Sequence, residues 1–201
     1  MAQFDRHWAD VFGDRWPQLR ASLKAPTDQV AWENPFLAAA SDSVRAALGD
    51  SDWQELRHTS GCTLWARLAA DEPGAPLPQP TRPEGAALMG HYGLDGASPL
   101  PAIALAPRRG HRVLDLCAAP GGKSLVLAGQ MFAGAAPASA VLSPTVLISN
   151  DRSGPRRARL RRVLEEFVLG TRPRVLSRLS LRLVGSRLGP ARFRPPRYLL
   201  A

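Results

Sequence analysis

Apolar residues near the start of the chain recur every three or four positions, a spacing that places them on one face of a helix. They are Phe4, Trp8, Val11, Phe12, Leu19 and Leu23. Pro17 falls inside this pattern and is expected to break or kink the helix, because proline has no backbone N–H. Further short helices are predicted at 41–48 and 53–57. The first 70 residues are therefore expected to be mostly helical.

The second half of the chain alternates strand-like and helix-like segments. Strands are predicted at 113–117 and 145–149, and each is followed by a helical pattern, at 123–132 and 154–168. This order predicts parallel strands joined by right-handed crossovers, which form the opening half of a doubly wound α/β sheet. Residues 175–184 show only a weak alternation typical of one more strand.

Proline and arginine divide the chain into four segments. Five prolines and a glycine between positions 73 and 83 favour extended backbone over a packed element, so a linker is predicted at 71–87. This linker separates the helical N-terminal region, 1–70, from a partial α/β domain, 88–170. Residues 171–201 form an arginine-rich tail that is expected to be divergent or disordered.

The positive charge of the chain lies at its C-terminal end. Residues 1–151 hold 12 basic and 15 acidic side chains, whereas residues 152–201 hold 14 arginines and 2 glutamates. Arginines neutralise phosphates and release their counterions, so nucleic acid is the partner that this tail indicates. The alternative is an unstructured or out-of-frame tail that is rich in arginine by chance, and composition alone does not separate the two.

Composition also limits the class of protein. No apolar run reaches the roughly 18 residues of a membrane-spanning helix, and the first residues lack the apolar stretch of a signal peptide, so no membrane partner is expected. The two cysteines, Cys62 and Cys117, lie far apart, and neither a disulfide framework nor a zinc cluster is predicted. His58 and Cys62 are four positions apart and are interpreted as an incidental pair, because no further His or Cys lies nearby.

The junction between the first strand of the α/β pattern and its helix has the composition of a ligand site. This glycine turn, residues 118–122, contains the adjacent Gly121 and Gly122, which let a ligand approach the main chain without obstruction by a Cβ atom. The first amides of the following helix lack internal partners and carry partial positive charge. They therefore favour a carboxylate or a phosphate.

Three interpretations of this turn compete. Residues 122–124, Gly-Lys-Ser, match the end of a phosphate-binding loop, but Cys117 stands where that pattern requires its first glycine and Pro120 removes an amide. A turn without any ligand is the second interpretation, although two glycines, a proline and a lysine exceed what a simple turn requires. The third is an adenosyl ligand bound across the end of a parallel sheet.

Asp151 follows the second predicted strand of the α/β pattern. A carboxylate in that position accepts two hydrogen bonds from the hydroxyls of a ribose. The same residue is equally well placed to cap the helix that begins near Ser153. The glycine turn one strand earlier favours the ribose-binding role and, with it, the adenosyl interpretation.

Several motifs resemble those of a known family. Residues 113–124, VLDLCAAPGGKS, resemble the S-adenosylmethionine motif of the Nop/Sun (RsmB-type) RNA cytosine-C5 methyltransferases. Residues 91–101 are similar to a Tyr-x-Leu-x-x-Ala-Ser-x-Leu-Pro stretch of the mitochondrial rRNA and tRNA subgroup of that family. Residues 150–156 are similar to its second motif. The resemblance is firm over 88–168 and looser over the N-terminal helix.

The resemblance implies a partial Rossmann-like α/β methyltransferase domain that uses S-adenosylmethionine to modify structured rRNA or tRNA, in the mitochondrion or otherwise in the cytoplasm. It implies that Asp151 holds the ribose of the cofactor, with Arg156 beside it. It also implies that Lys123 lies near the carboxylate of the methionine portion. The residues implied to surround that portion are Cys117, Ala118, Ala119, Pro120, Gly121, Gly122 and Lys123.

The chain departs from the family near Gly170. The family carries catalytic cysteines on loops after its fourth and fifth strands, in Asp-x-Pro-Cys and Thr-Cys-Ser contexts, and no cysteine follows Cys117 here. Such a cysteine adds to C6 of cytosine and makes C5 nucleophilic. We therefore expect a truncated, spliced or frame-shifted member that has no catalytic residue and no turnover. The alternative function is a non-catalytic RNA-binding or regulatory module, with or without a protein partner, that uses the arginine-rich tail.

Overall fold

The computed structural model of the chain describes residues 2–25, 27–37, 40–48, 53–58, 62–67, 77–133, 145–169, 180–184 and 198–200. The α-helices within these residues are α1 (Ala2–Phe12), α2 (Trp16–Lys24), α3 (Ala40–Leu48), α4 (Leu100–Leu105), α5 (Gly122–Phe132) and α6 (Gly154–Leu164). None of the helices in the described part of the chain is long and apolar enough to cross a membrane.

Strands form two separate sheets. The N-terminal sheet contains β1 (Gln29–Glu33), β2 (Trp53–His58), β3 (Cys62–Arg67) and β4 (His91–Asp95). The parallel sheet contains β5 (Arg112–Asp115), β6 (Val146–Asn150), β7 (Ser180–Val184) and β8 (Tyr198–Leu200).

The N-terminal sheet is antiparallel, and its strands follow the order β2-β3-β1-β4. In the register of its centre, Trp32 on β1 stands opposite Leu64 on β3 and Tyr92 on β4. β4 comes after the proline-rich segment in sequence, yet it pairs with β1, which comes before that segment. Hydrogen bonding within one sheet therefore joins the two sides of the linker predicted at 71–87.

The helix predicted at 53–57 was wrong, because these residues form β2. Trp53 to His58 pair in register with β3, from Trp53 opposite Arg67 to His58 opposite Cys62. A helix of five residues has too few internal hydrogen bonds to be stable alone, whereas the neighbouring strand supplies partners along the whole segment. His58 and Cys62 thus occupy opposite positions in the backbone register of β2 and β3. The helices predicted near the start and at 41–48 are present as α1, α2 and α3.

The parallel sheet confirms the α/β prediction. Its strand order is β7-β6-β5-β8, and β5 pairs in parallel with both β6 and β8. The helix α5 connects β5 to β6, and α6 follows β6, as the alternating pattern predicted. β7 lies inside the weakly predicted strand at 175–184, whose first five residues are outside the described part.

The helix α5 lies in a core that both sheets share. Nearly every residue of α5 is buried, and a Cβ atom on Gly129 would lie 3.3 Å from Cζ2 of Trp32, a fully buried residue of β1. The same apolar core includes Leu94 of β4 and Val113 of β5. Burial of a large apolar side chain contributes about 1.5–3 kcal/mol, so the N-terminal sheet helps to hold the helix that follows the glycine turn.

Candidate functional site

The glycine turn connects β5 to α5, as predicted, and its backbone requires glycine at one position. Gly121 precedes the helix with a φ of +130°, a value that residues with a side chain rarely adopt. A Cβ atom there would also lie 2.9 Å from Cγ1 of Val163 on α6. The turn therefore packs closely against α6, while the side chain of Cys117 remains exposed at its start.

Two hydrogen bonds tie the turn to the end of the neighbouring strand. The amide of Ala118 donates to the carbonyl oxygen of Asn150, 2.8 Å away. The side-chain amide of Asn150 donates to the carbonyl oxygen of Leu116 at 3.4 Å. The carboxyl ends of β5 and β6 thus form one continuous edge, the place where ligands bind in open parallel sheets.

Arg156 brings Asp151 and the glycine turn together. Its Nη2 atom donates to the carbonyl oxygen of Ala119 at 2.7 Å and lies 3.3 Å from Oδ2 of Asp151. Asp151 is 4 % exposed, and its Oδ1 accepts from the amide of Ser153 at 2.9 Å. The carboxylate therefore supports the start of α6 and also faces the turn, so the two roles weighed for it from the sequence are compatible.

A buried network of hydrogen bonds joins the strand before the glycine turn, the helix after it and the neighbouring strand. The hydroxyl of Ser124 donates to Oδ2 of Asp115 at 2.7 Å and lies 2.9 Å from the hydroxyl of Ser149. Burial raises the pKa of the Asp115 carboxyl, an effect opposed by the Ser124 hydroxyl, by Lys123 and by the backbone N–H of Cys117. This network links β5, α5 and β6, so it fixes the helix start relative to the sheet.

Sequence reasoning missed this network. The available signal was an acidic residue inside an apolar strand, since Asp115 stands between Leu114 and Leu116. A carboxyl group in such a position requires a hydrogen-bond partner. Ser124 provides it from the first turn of α5.

A cavity of about 190 Å³ opens between the glycine turn and β4. Its volume is below the roughly 300–1,000 Å³ of complete small-molecule sites and corresponds to the size of one portion of such a ligand. Asp151 and Arg156 lie beside the turn but are not part of this lining. The lining residues are Tyr92, Gly93, Leu94, Asp95, Ser98, Cys117, Ala118, Ala119, Pro120, Gly122 and Lys123.

The β4 wall of this cavity was not predicted as part of the site. Tyr92 packs edge-on against Phe167, with ring centroids 5.1 Å apart. Burial raises the pKa of the Tyr92 phenol, and the positive charge of Arg159 opposes this shift. The position of β4 in this wall is therefore stabilised both by its pairing with β1 and by the contact of Tyr92 with the segment that follows α6. Within the described residues, no group of three or more His, Cys, Asp or Glu side chains is arranged to hold a metal ion.

No protein-family model matches the sequence, but curated relatives do. A mouse protein named 5-cytosine rRNA methyltransferase NSUN4 is 32% identical over 189 residues, which cover 84% of this chain and 46% of the relative. A mouse protein named tRNA (cytosine(34)-C(5))-methyltransferase, mitochondrial, is 29% identical over 170 residues, which cover 83% of this chain and 45% of the relative. The chain spans a little less than half the length of these relatives.

A solved structure shares the fold. It is described as a methyltransferase homolog from Pyrococcus horikoshii and superposes with a TM-score of 0.53 at 22% identity, over 86% of this chain and 48% of that chain. At this level of identity the likeness concerns the fold alone. It agrees with the α/β architecture of this chain.

Proposed function

Because the chain belongs to the Nop/Sun family of RNA cytosine-C5 methyltransferases, we propose that its glycine turn and Asp151 bind S-adenosylmethionine. The observation that supports this proposal most is the position of Arg156. One nitrogen of its guanidinium contacts both the carbonyl oxygen of Ala119 and the carboxylate of Asp151. The two recognition elements therefore lie at the same edge of the parallel sheet, close enough to act on one molecule.

Each part of the site has a defined role in this proposal. Residues 117–123 surround the methionine portion of the cofactor, and the first amides of α5 receive its carboxylate. Asp151 accepts hydrogen bonds from the ribose hydroxyls, since each carboxylate oxygen has a second lone pair beyond its contact with Ser153 or Arg156. When bound, the cofactor supplies an electrophilic methyl group.

Calorimetric titration with S-adenosylhomocysteine tests the proposal. Asp151→Ala is expected to weaken binding about tenfold or more, because a hydrogen bond to a charged group is lost. Asp28→Ala is the matched control, since Asp28 is an exposed aspartate that does not line the cavity beside the glycine turn. Thermal unfolding of each variant shows whether it remains folded. Equal affinity of the wild type and folded Asp151→Ala would remove Asp151 from the site.

We propose that these 201 residues alone transfer no methyl group to cytosine. Cys62 is buried, and burial raises the pKa of its thiol to about 11, so little thiolate forms near neutral pH. Cys117 belongs to the cofactor turn, and no cysteine follows it. The nucleophile that would activate C5 is thus missing from this chain.

A methyl-transfer assay with tritiated cofactor and unmodified rRNA or tRNA transcript tests this statement. We expect no labelled RNA from this chain, whereas a full-length relative assayed on its own substrate serves as the positive control. Robust product formed by the chain alone would overturn the statement while leaving the cofactor site intact.

RNA binding without catalysis is the second candidate function, and the surface of α6 favours it. Arginines with exposed side chains stand on this helix and just before it: Arg152, Arg156, Arg159, Arg161 and Arg162. The names of the relatives, which refer to rRNA and to mitochondrial tRNA, support a structured RNA in the mitochondrion as the partner. Arg161→Gln with Arg162→Gln is expected to weaken RNA binding in a gel shift and to lower its salt dependence. Unchanged binding would exclude α6 from the RNA surface.

A further inference from the structure

The cavity beside the glycine turn carries charges of opposite sign on the two elements that form it. Asp95 comes from the end of β4, and Lys123 comes from the first turn of α5. The other residues that line the cavity carry no formal charge, and they include Tyr92 and Leu94 besides small residues. A site of this kind has one acceptor for a cation and one donor for an anion within a space of about 190 Å³.

Both charged groups have bonding capacity left for a ligand. Oδ1 of Asp95 accepts from the amide of Ala97 at 2.9 Å, and no partner of Oδ2 is found among the described residues. In the same part of the chain, the ammonium group of Lys123 has no hydrogen-bond or ion-pair partner. Lys123 also lies near the partially positive start of α5, so this side of the cavity favours a carboxylate.

The two other carboxylates near the turn do not line the cavity. Asp115 is 3 % exposed, accepts from Ser124 and does not line the cavity. Asp151 also lies outside the lining. Asp95 is therefore the carboxylate that meets a ligand inside the cavity.

We propose that Asp95 binds the α-ammonium group of the amino-acid portion of the cofactor, while Lys123 and the start of α5 bind its α-carboxylate. This inference rests on the proposed function, since it assigns two ends of a zwitterion to two walls of the same site. An ammonium group requires acceptors, and an ionised acceptor gives the strongest hydrogen bond. Asp95 also disfavours a phosphate group, which would bring like charges together.

Three ligands that differ in these two charges test the two contacts separately. S-adenosylhomocysteine carries both charges, its decarboxylated analogue carries only the ammonium, and 5′-methylthioadenosine carries neither. Asp95→Asn keeps a side-chain oxygen for the amide of Ala97 but removes the charge. We expect this variant to bind the first two ligands about tenfold more weakly, as for the loss of one charge-assisted hydrogen bond, and to bind 5′-methylthioadenosine as the wild type does.

Asp28→Asn is the matched control. Asp28 lies next to the same loop, where its carbonyl oxygen accepts from Gly96 at 2.8 Å, but it does not line the cavity. Its substitution removes the same unit of charge and is expected to leave all three affinities unchanged. Titrations followed by NMR of the labelled chain measure weak as well as strong binding.

The outcomes distinguish this inference from the proposed function. If S-adenosylhomocysteine does not bind the wild-type chain, the proposed function is wrong and this inference fails with it. If it binds equally well to Asp95→Asn, or if all three ligands lose affinity by the same factor, only the assignment of Asp95 is overturned. Selective loss for the two ammonium ligands supports the assignment.

Discussion

Gly122, the first residue of α5, lies so close to Leu94 of β4 that a Cβ atom on Gly122 would overlap Cδ2 of the Leu94 side chain. The two residues belong to different layers of the fold, since Leu94 is part of the N-terminal sheet and Gly122 follows a strand of the parallel sheet. Their contact forms one boundary of the cavity beside the glycine turn. The N-terminal sheet is thus a wall of the candidate site.

Gly122→Ala is expected to displace Leu94 and to weaken binding of S-adenosylhomocysteine. Alanine normally favours a helix over glycine by about 1 kcal/mol, but overpacking a filled site costs about 1–3 kcal/mol, so the variant should also be less stable. Gly154→Ala is the control, because a Cβ atom there meets nothing closer than Nη2 of Arg157 at 3.8 Å. Calorimetric titration and urea unfolding measure the two effects.

A second substitution distinguishes the steric overlap between the new methyl group and Leu94 from other effects of Gly122→Ala. Leu94→Ala in the Gly122→Ala background removes the side chain that the new methyl group meets, so part of the lost affinity should return. Failure of this rescue, or equal affinities of Gly122→Ala and Gly154→Ala, would mean that the cavity does not hold the ligand.

Arg156→Ala is expected to weaken cofactor binding and to lower the free energy of unfolding by about 1–3 kcal/mol. The variant removes the group that holds Asp151 against the turn. It also leaves the carboxylate of Asp151, which is 4 % exposed, without its ion-pair partner. Arg161→Ala, at an exposed position near the end of α6, should change neither affinity nor stability. Titration and thermal unfolding of both variants decide whether Arg156 acts on the site.

The sequence predicted the elements whose conformation is determined by residues close to them in the chain. The apolar run before the glycine turn and the helical pattern after it are local features, and β5, the turn and α5 appear where they were expected. The helix predicted at 53–57 failed because its residues pair with β3, and pairing partners override local preference. The wall formed by β4 was missed for a related reason. Its position depends on pairing with β1, which lies far away in sequence.

The assignment of individual residues to the cofactor stays a prediction. The structure shows that Asp151, Arg156 and the turn lie together, which neither periodicity nor composition specifies. It also adds Asp95 and Tyr92 to the candidate site, and these residues entered the sequence argument only through a family resemblance. Site residues that come together through contacts between two sheets could therefore be identified only from the folded structure.

The buried Asp115 carboxyl predicts a pH-dependent difference between the wild type and Asp115→Asn. Burial raises the pKa of Asp115 above its usual 3.8, so folding favours the protonated form. Its contribution to stability is fully present below pH 3.8 and is lost as pH rises through the raised value. The free energy of unfolding of Asp115→Asn, relative to wild type, should therefore increase over this interval and then level off.

Urea unfolding of both proteins across this pH interval measures that difference. Ser124→Ala provides the companion measurement, because the Ser124 hydroxyl stabilises the charged form of Asp115. Its loss should move the transition to higher pH. A constant difference between wild type and Asp115→Asn at every pH would show that the pKa of Asp115 is not raised in the folded chain.

Cys117 and Cys62 are expected to differ in alkylation and in their response to the cofactor product. Cys117 is exposed and lines the cavity, whereas Cys62 is buried and burial raises the pKa of its thiol to about 11. Since the thiolate is the reacting form, iodoacetamide should modify Cys117 in the folded chain and Cys62 only after unfolding. Mass spectrometry of the two peptides measures both rates in one sample.

Saturating S-adenosylhomocysteine should slow the alkylation of Cys117, because a ligand that fills the cavity covers its sulfur. Cys62 serves as the internal control, since its rate in the folded chain reports unfolding alone. A ligand that only stabilises the fold would slow the alkylation of Cys62 and leave that of Cys117 unchanged. Cys117→Ala removes the modified peptide and confirms its assignment. If the ligand binds but leaves the rate at Cys117 unchanged, it occupies a place other than the turn, because a methionine portion seated along 117–123 cannot leave that thiol open to the reagent.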